Sequence, residues 1–199
     1  GAVARRTLGE LPDRVTVQAS GSIIKNVKSV IVPNTDHLKG IDAAVSAGIV
    51  AGDPDKKLEV IASVTPEQIQ AMKQFMDEVP IEIEHIDKGC TFDIVVIVHH
   101  KDEYAKVRIA NYHTNIVLIE KNGEILEQAK VSGDSEDGLT DRNLLDMEHI
   151  WDFAMTVEID EVKALLDQQI SCNMTIADEG LKNDYGANIG KVLLDMDGN

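Results

Sequence analysis

Four consecutive side chains with hydrogen-bonding groups, from Tyr112 to Asn115, occupy the connection between two predicted strands. His113 can accept or donate a proton near neutral pH, which suits it to acid–base chemistry. A connection that rigid strands hold on both sides is a common place for a binding or catalytic site. The alternative is an edge loop in which Thr114 and Asn115 satisfy backbone groups. On these residues alone, the structural alternative is favoured.

A second group of polar residues begins a predicted helix near the N-terminus, with Ser20 or Ser22 as its N-cap. Lys25 and Asn26 lie in the first turns of this helix, beside apolar residues at helical spacing. Lys25 has the charge to hold a carboxylate group. The alternative is that both side chains form the solvated rim of an amphipathic helix.

The chain contains none of the short motifs that identify common enzyme classes. It has no GxGxxG, P-loop, GxSxG or HExxH, and no lysine in a recognisable cofactor-aldimine context. Cys90 and Cys172 are far apart and offer no metal-binding spacing such as CxxC. His99 and His100 would point to opposite faces of a strand, so they cannot share a metal without a bulge. The spacing of side chains therefore identifies no enzyme by itself and predicts no metal site in this chain.

The composition is that of an acidic globular protein. The 199 residues are enough to bury a core, and 43% of them are apolar, but no apolar run is long enough to span a bilayer. The formal charge of −16 would repel a phosphate backbone, which argues against nucleic acid as a partner. The start of the chain has no initiator Met and no apolar segment of a secretory signal, so the natural N-terminus is expected to lie further upstream. With two isolated thiols, the sequence predicts a cytoplasmic protein with no membrane partner.

The polar residues depend on a predicted antiparallel sheet. A short strand is predicted at Arg14–Gln18, and later segments with period-two alternation or continuous apolar runs predict five further strands. These five strands form a meander that begins at Ile81–Ile86. Its last hairpin turns at Asn122-Gly123, which favours a two-residue type I′ turn with Ile119 opposite Leu126.

The helical segments precede and follow this meander. Gly40–Gly52 is rich in Ala and Gly, which predicts a helix that packs closely against a flat surface. Thr65 to Gln68 form a capping box with Pro at the first helical position. A polar loop at 131–140 precedes further helical patterns. The predicted fold is α+β: an antiparallel β-meander with helices on one face in residues 1–130, followed by a helical lobe in residues 131–199.

Several segments also match, in order, the motifs of a known family. They are Ser20–Val27, Val32–Thr35, Gly40–Pro54, Leu58–Val60, His113–Val117 and the stretch from Cys172 through Gly180 to Gly190. On these segments the chain resembles the L-cysteine desulfidase family, which is related to the α-chain of bacterial iron–sulfur L-serine dehydratases. The resemblance runs from about Val3 to Leu194. Two departures are Ser22, where the family has Asn, and Asn34, where it usually has Gly.

The resemblance implies a cytoplasmic lyase that eliminates the β-substituent of an L-amino acid and releases pyruvate and ammonia, with sulfide when the substrate is cysteine. In the family, an open iron of a 4Fe–4S cluster acts on the substrate as a Lewis acid. The family's cluster cysteines lie in a C-terminal helical region, and its proposed base is a cysteine in an N-terminal GCTEP-like segment. This chain contains neither motif. It therefore resembles the central portion of such an enzyme, inactive by itself and completed by the missing C-terminal region of the same protein.

The resemblance places seven residues on the active-site side as substrate-binding residues: Ser20, Lys25, Asn26, Thr35, His113, Thr114 and Asn115. The helix that carries Lys25 and the loop that carries His113, about 90 residues apart, are expected to converge with Thr35 on one shallow surface. The catalytic roles, the identity of the amino-acid substrate and a homo-oligomeric state stay open. The alternative function is a non-catalytic small-molecule-binding or assembly module, in which the same polar residues stabilise loops.

Overall fold

The computed structural model of the protein describes residues 1–131, 145–185 and 187–198. The chain divides into two compact units, Gly1–Asp137 and Gly138–Asn199. The first unit contains a β-sheet with its helices, and the second contains helices. Apart from residue 131, the predicted polar loop at 131–140 lies outside the described residues.

Six strands form one mixed sheet in the order β2-β1-β3-β4-β5-β6. They are β1 Arg14–Ser20, β2 Ile81–Ile86, β3 Asp93–His100, β4 Glu103–Ala110, β5 Ile116–Lys121 and β6 Glu124–Gln128. Strands β3 to β6 follow one another as an antiparallel meander. The predicted α+β class is confirmed.

The predicted pairing of the Ile81–Ile86 strand with the next strand is wrong, because β1 lies between them. Strand β1 runs parallel to β2 and antiparallel to β3. Val15 and Val17 of β1 are buried, as suits a strand with a neighbour on each side. Strand β2 is at the edge of the sheet and exposes Glu82 and Glu84, which discourages pairing with another chain.

Helices cover the sheet face that carries the main core. They are α1 Ala2–Leu8, α2 Gly21–Val27, α3 Gly40–Ala51 and α4 Pro66–Glu78, with a short 3₁₀ helix at Pro54–Glu59. In the main core, Leu8, Ile49 and Phe75 from three of these helices pack with residues of one sheet face. The sheet residues are Val15, Val17, Val96, Val98, Ala105 and Val107. A smaller cluster of buried residues contains Met72, which is fully buried.

Small residues bring α3 close to α1. A Cβ atom on Gly48 would lie 3.3 Å from the Ala2 backbone nitrogen, and one on Gly52 would lie 2.8 Å from the Ala2 Cβ. Larger side chains at these positions would push the two helices apart. The Ala- and Gly-rich helix therefore packs closely against α1, and its Val45 and Ile49 also belong to the core on the sheet face.

The last hairpin has the predicted turn but a different register. Asn122 has φ 51° and Gly123 has φ 84°, and both central residues of a type I′ turn need positive φ. Beyond the turn the register shifts, so that Ile119 pairs with Glu127 and not with Leu126. A β-bulge of this kind adds one residue to one strand, and the turn sequence does not reveal it.

The second unit contains α5 Met147–Thr156, α6 Ile159–Lys182 and α7 Ile189–Asp197. Its helices fall where the apolar residues recur at helical spacing. None of the residues described in this unit is buried. Of the helices in the described parts of the chain, none has both the length and the apolar content needed to cross a membrane.

The start of α4 carries the predicted capping box. The Gln68 backbone N–H donates to Thr65 Oγ1, and the Thr65 backbone N–H donates to Gln68 Oε1. Each bond satisfies a backbone N–H that the first turn of the helix leaves without an intrahelical partner.

We expect Thr65→Ala to lower the free energy of unfolding of the first unit by about 1 kcal/mol, because one N-terminal N–H of α4 loses its acceptor. Urea denaturation followed by far-UV circular dichroism measures the change. Gln70→Ala, at an exposed position on the same helix, is the matched control and should not lower the midpoint. Equal midpoints for the two variants would contradict a stabilising role for the cap.

Candidate functional site

Five strand ends meet at one end of the sheet. Strands β1, β2 and β4 finish there, at Ser20, Ile86 and Ala110, and strands β3 and β5 begin there, at Asp93 and Ile116. The start of α2, the β2–β3 connection (87–92) and the β4–β5 connection (111–115) therefore lie together. We call this region, with the strand-end residues beside it, the polar end of the sheet.

Two of the predicted site residues converge on the β2–β3 connection. Ser20 Oγ donates a hydrogen bond of 2.7 Å to the Thr91 carbonyl oxygen. The His113 ring lies against Phe92, with ring centroids 4.4 Å apart and planes inclined by 45°. Because Thr91 and Phe92 are consecutive, Ser20 and His113 are held on neighbouring residues of one loop.

Lys25 and Asn26 are exposed on α2, which starts directly after Ser20. Helix α2 contacts β1, β2 and α3. Within the described part of the chain, the Lys25 and Asn26 side chains make no hydrogen bond or ion pair. They are free to bind a ligand near this end of the sheet, but no contact in the structure joins them to the His113 loop.

Thr35 and Asn115 are occupied with backbone groups. Thr35 is 1% exposed, and its Oγ1 donates to the Val32 carbonyl oxygen at 2.7 Å, so its hydroxyl is not presented to a ligand. Asn115 Nδ2 donates to the Ala110 carbonyl oxygen at 2.9 Å and closes the β4–β5 connection. These two contacts match the structural alternative for both residues. Thr114, between His113 and Asn115, is exposed.

An ion pair that sequence reasoning missed lies at the same end. The Asp93 side chain is fully buried, and it accepts hydrogen bonds from Arg108 Nε at 2.9 Å and Nη2 at 2.7 Å. It also accepts from the Cys90 backbone N–H at 3.3 Å. The hydrogen bonds to Asp93 raise the pKa of Arg108 above its usual range, although partial burial opposes them. This arrangement ties the β2–β3 connection to β4.

The signal for this pair is weak in the sequence. Asp93 stands at the head of an apolar run, and Arg108 alternates with apolar residues in the next strand. In the observed register Asp93 opposes Ala110, which places Arg108 on the same face of the sheet two residues along the neighbouring strand. Without the register, nothing connects these residues. The buried position of the Asp93 carboxylate also requires glycine at position 89, because a Cβ atom there would lie 2.5 Å from Asp93 Oδ2.

A second histidine lies near the start of α2. His85 Nδ1 is 3.0 Å from Asp87 Oδ1, and both side chains are largely exposed. The other ring nitrogen faces the backbone of Gly21, where a Cβ atom would lie 3.1 Å from His85 Nε2. A carboxylate on one ring nitrogen orients an imidazole so that the other nitrogen can exchange a proton.

The chemistry available here is anion binding and proton transfer. The Arg108 side chain is 32% exposed, and its Nη1 has no partner among the described residues. Free guanidinium N–H groups bind carboxylates well. Arg108 can thus attract a small anionic ligand, and the exposed imidazoles of His85 and His113 at the same end of the sheet can move a proton. A cavity of about 350 Å³ lies elsewhere, where β2 begins, and is lined by Asp42 and residues 76–81.

The residues that the structure describes do not provide ligands for an iron–sulfur cluster. Cys90 belongs to the first unit and Cys172 to the second. Among the described residues, no group of three or more His, Cys, Asp or Glu side chains is arranged to hold a metal ion.

The fold and the candidate site define an α+β domain with a polar end of its sheet, followed by a helical unit. Proteins with similar sequences are found in several organisms. The chain is 51% identical over 201 residues to a UPF0597 protein of Desulfitobacterium hafniense and 42% identical over 195 residues to one of Fusobacterium nucleatum. These matches cover 100% and 98% of this chain but 46% of each relative. The chain thus spans about half the length of the curated relatives it matches. No family model and no solved structure matches it.

Asp93→Asn should lower the free energy of unfolding of the first unit by about 2 kcal/mol, because an amide cannot accept both Arg108 bonds and a buried polar group then loses a partner. Chemical denaturation of the two proteins measures the loss. Asp36→Asn is the matched control, since the Asp36–Lys73 pair is exposed, and it should leave the midpoint unchanged. If both variants had wild-type midpoints, the polar end would not depend on the buried pair.

Proposed function

We propose that this chain is the central portion of an L-cysteine desulfidase or L-serine dehydratase-like lyase. The reaction removes the Cα proton and the β-substituent of an L-amino acid. The resulting aminoacrylate takes up water and yields pyruvate and ammonia, with sulfide released first when the substrate is cysteine. The ordered resemblance from Val3 to Leu194 supports this proposal. The names of the relatives state no activity.

The observation that carries the proposal is the meeting of Ser20 and His113 on Thr91–Phe92. These residues come from two segments that resemble the family and lie about 90 residues apart in the sequence. Their separation in the sequence gives no reason to expect both at the same loop. A shared loop at a sheet end, beside a partly exposed guanidinium, supports a small-molecule site there.

The proposed roles follow from the chemistry of each group. Arg108 and Lys25 are cations that can hold the substrate carboxylate, and Arg108 is pre-oriented by Asp93. His113 is exposed and its ring nitrogens make no hydrogen bond within the described residues, so it can exchange a proton with the substrate. The 4Fe–4S cluster that the resemblance implies belongs to the part of the protein outside residues 1–199. We place the activity in the cytoplasm, where thiols stay reduced.

A second candidate function is a non-catalytic binding or assembly module. It is favoured by the hydrogen bonds of three predicted site residues, Ser20, Thr35 and Asn115, whose side chains all donate to backbone carbonyl groups. In that case the polar end stabilises loops and does no chemistry.

His113→Asn in the full-length protein should lower kcat for L-cysteine or L-serine by about 100-fold or more, because a proton-transfer group is removed. Pyruvate release under anaerobic conditions measures turnover, and thermal unfolding should change little because the side chain is exposed. His37→Asn, at another exposed histidine, is the matched control and should keep full activity. A His113 variant with normal turnover per folded molecule would favour the non-catalytic module.

Lys25→Gln should mainly raise KM, because a carboxylate-binding charge is lost without a loss of proton transfer. The same pyruvate assay over a range of substrate concentrations separates KM from kcat. Lys28→Gln, at the exposed end of the same helix, should leave both constants unchanged. Equal effects of the two substitutions would mean that general surface charge, and not Lys25, attracts the substrate.

The polypeptide of residues 1–199 should release no pyruvate from L-cysteine or L-serine and should gain no brown chromophore on anaerobic reconstitution with iron and sulfide. The reason is that neither family cysteine motif is present. The full-length protein, treated in the same way, is the positive control. Stoichiometric cluster uptake with turnover by residues 1–199 would contradict the assignment as a central portion.

A further inference from the structure

The helices of the second unit present apolar side chains that nothing in the described chain covers. Helix α6 has 24 residues and is about 36 Å long. One stripe along it recurs at intervals of three or four residues. Its members are Ile159, Val162, Leu166, Ile170, Met174, Ala177 and Leu181. Ile170 is 59% exposed, although such a stripe normally faces a core.

The neighbouring helices show the same exposure. In α5, Trp151 is 68% exposed and Phe153 is 59% exposed, and in α7 Leu193 is 60% exposed. Single exposed apolar side chains are common on proteins. All three helices carry large exposed apolar residues and none has a buried position among its described residues, and exposed apolar patches mark interaction sites. We call the exposed apolar residues of α5, α6 and α7 together the helical face.

The charge around the helical face argues against a second copy of the chain as its cover. Residues 145–198 contain twelve Asp and Glu residues against three Lys residues, a formal charge of −9. Two such faces brought together would repel each other across their rims. A complementary partner has an apolar centre and a rim of Lys and Arg.

The relatives indicate where such a partner can come from. More than half of the length of each of the two relatives described above lies outside the segment that this chain matches. A full-length protein of that size carries enough additional chain to cover three helices. Covalent linkage also raises the effective concentration of a docking segment, so a modest interaction suffices.

We infer that the helical face is the docking surface for a segment of the full-length protein outside residues 1–199, a segment with an apolar centre and a basic rim. This inference goes beyond the proposed function, since it concerns assembly and requires no lyase activity. Failure of the activity assays would leave it standing, and failure of docking would leave the activity assays unaffected.

Hydrogen–deuterium exchange of residues 1–199 and of the full-length protein tests the inference. We expect the amides of α6 to exchange at least ten times more slowly in the full-length protein. Raising the salt concentration from 50 to 500 mM should reduce this difference, because the rim contacts are ionic. Equal exchange of α6 in the two proteins would overturn the inference, whether the helix is protected in both or in neither.

Ile170→Asp in the full-length protein should abolish the extra protection, because it places a charge in the centre of the stripe. Gln168→Asp adds the same charge on the opposite side of α6 and should retain the protection. Far-UV circular dichroism of both variants, made in residues 1–199, checks that α6 still forms. We expect it to form, because positions 168 and 170 are exposed. Retained protection in Ile170→Asp would overturn the inference.

Light scattering tests whether a second copy of the chain covers the helical face. Residues 1–199 should be monomeric at micromolar concentration, since the acidic rims repel. A dimer whose α6 amides are as protected as those of the full-length protein would show that a second copy covers the helical face, and the inference would then be wrong.

Discussion

The first unit depends on the insertion of β1 between β2 and β3. Its backbone hydrogen bonds join the edge strand to the antiparallel meander, so one strand holds the two parts of the sheet together. Because β1 and β2 are parallel, the chain must cross from one end of the sheet to the other between Ser20 and Ile81, and it does so through α2, α3 and α4. The same crossover supplies helix residues to the core and brings the ends of β1 and β2 to the same side. The polar end of the sheet is a consequence of this arrangement.

The buried ion pair gives the polar end its rigidity. Removing the Asp93 carboxylate from water is unfavourable, and two parallel hydrogen bonds from the partly exposed Arg108 with a third from the Cys90 N–H offset that cost. A carboxylate held in this way has little freedom, so the β2–β3 connection is fixed to β4. Ser20 and His113 then both rest on that connection. Preorganised polar groups of this kind suit a binding site, since a ligand need not order them.

The two units differ in how they bury apolar side chains. The first unit has a continuous core between its helices and its sheet, with several side chains fully buried. The described helices of the second unit have the amphipathic pattern of packed helices but no buried residue. Hydrophobic burial is the main source of folding stability, so helices of this type are expected to gain theirs from further contacts. The greater length of the relatives is consistent with this division.

What the sequence by itself determined is local. The alternation of β4, the positive-φ pair Asn122-Gly123 and the capping box at Thr65 each depend on neighbouring residues, and they predicted a strand, a hairpin turn and a helix start that the structure contains. The mixture of these elements was enough for the α+β class. The resemblance to lyases pointed to residues early and late in the sequence of the first unit. Two of them, Ser20 and His113, contact the same loop.

What only the tertiary structure decided is non-local. The neighbours of β1, the bulge that displaces Leu126 and the partnership of Asp93 with Arg108 all depend on strand register, which residues distant in sequence set together. Thr35 is another example. Its hydroxyl group could equally well bind a ligand, but in the fold it is buried and donates to a backbone carbonyl oxygen. A side chain's chemistry is visible in the sequence, but whether that chemistry is used internally depends on which groups the fold places beside it.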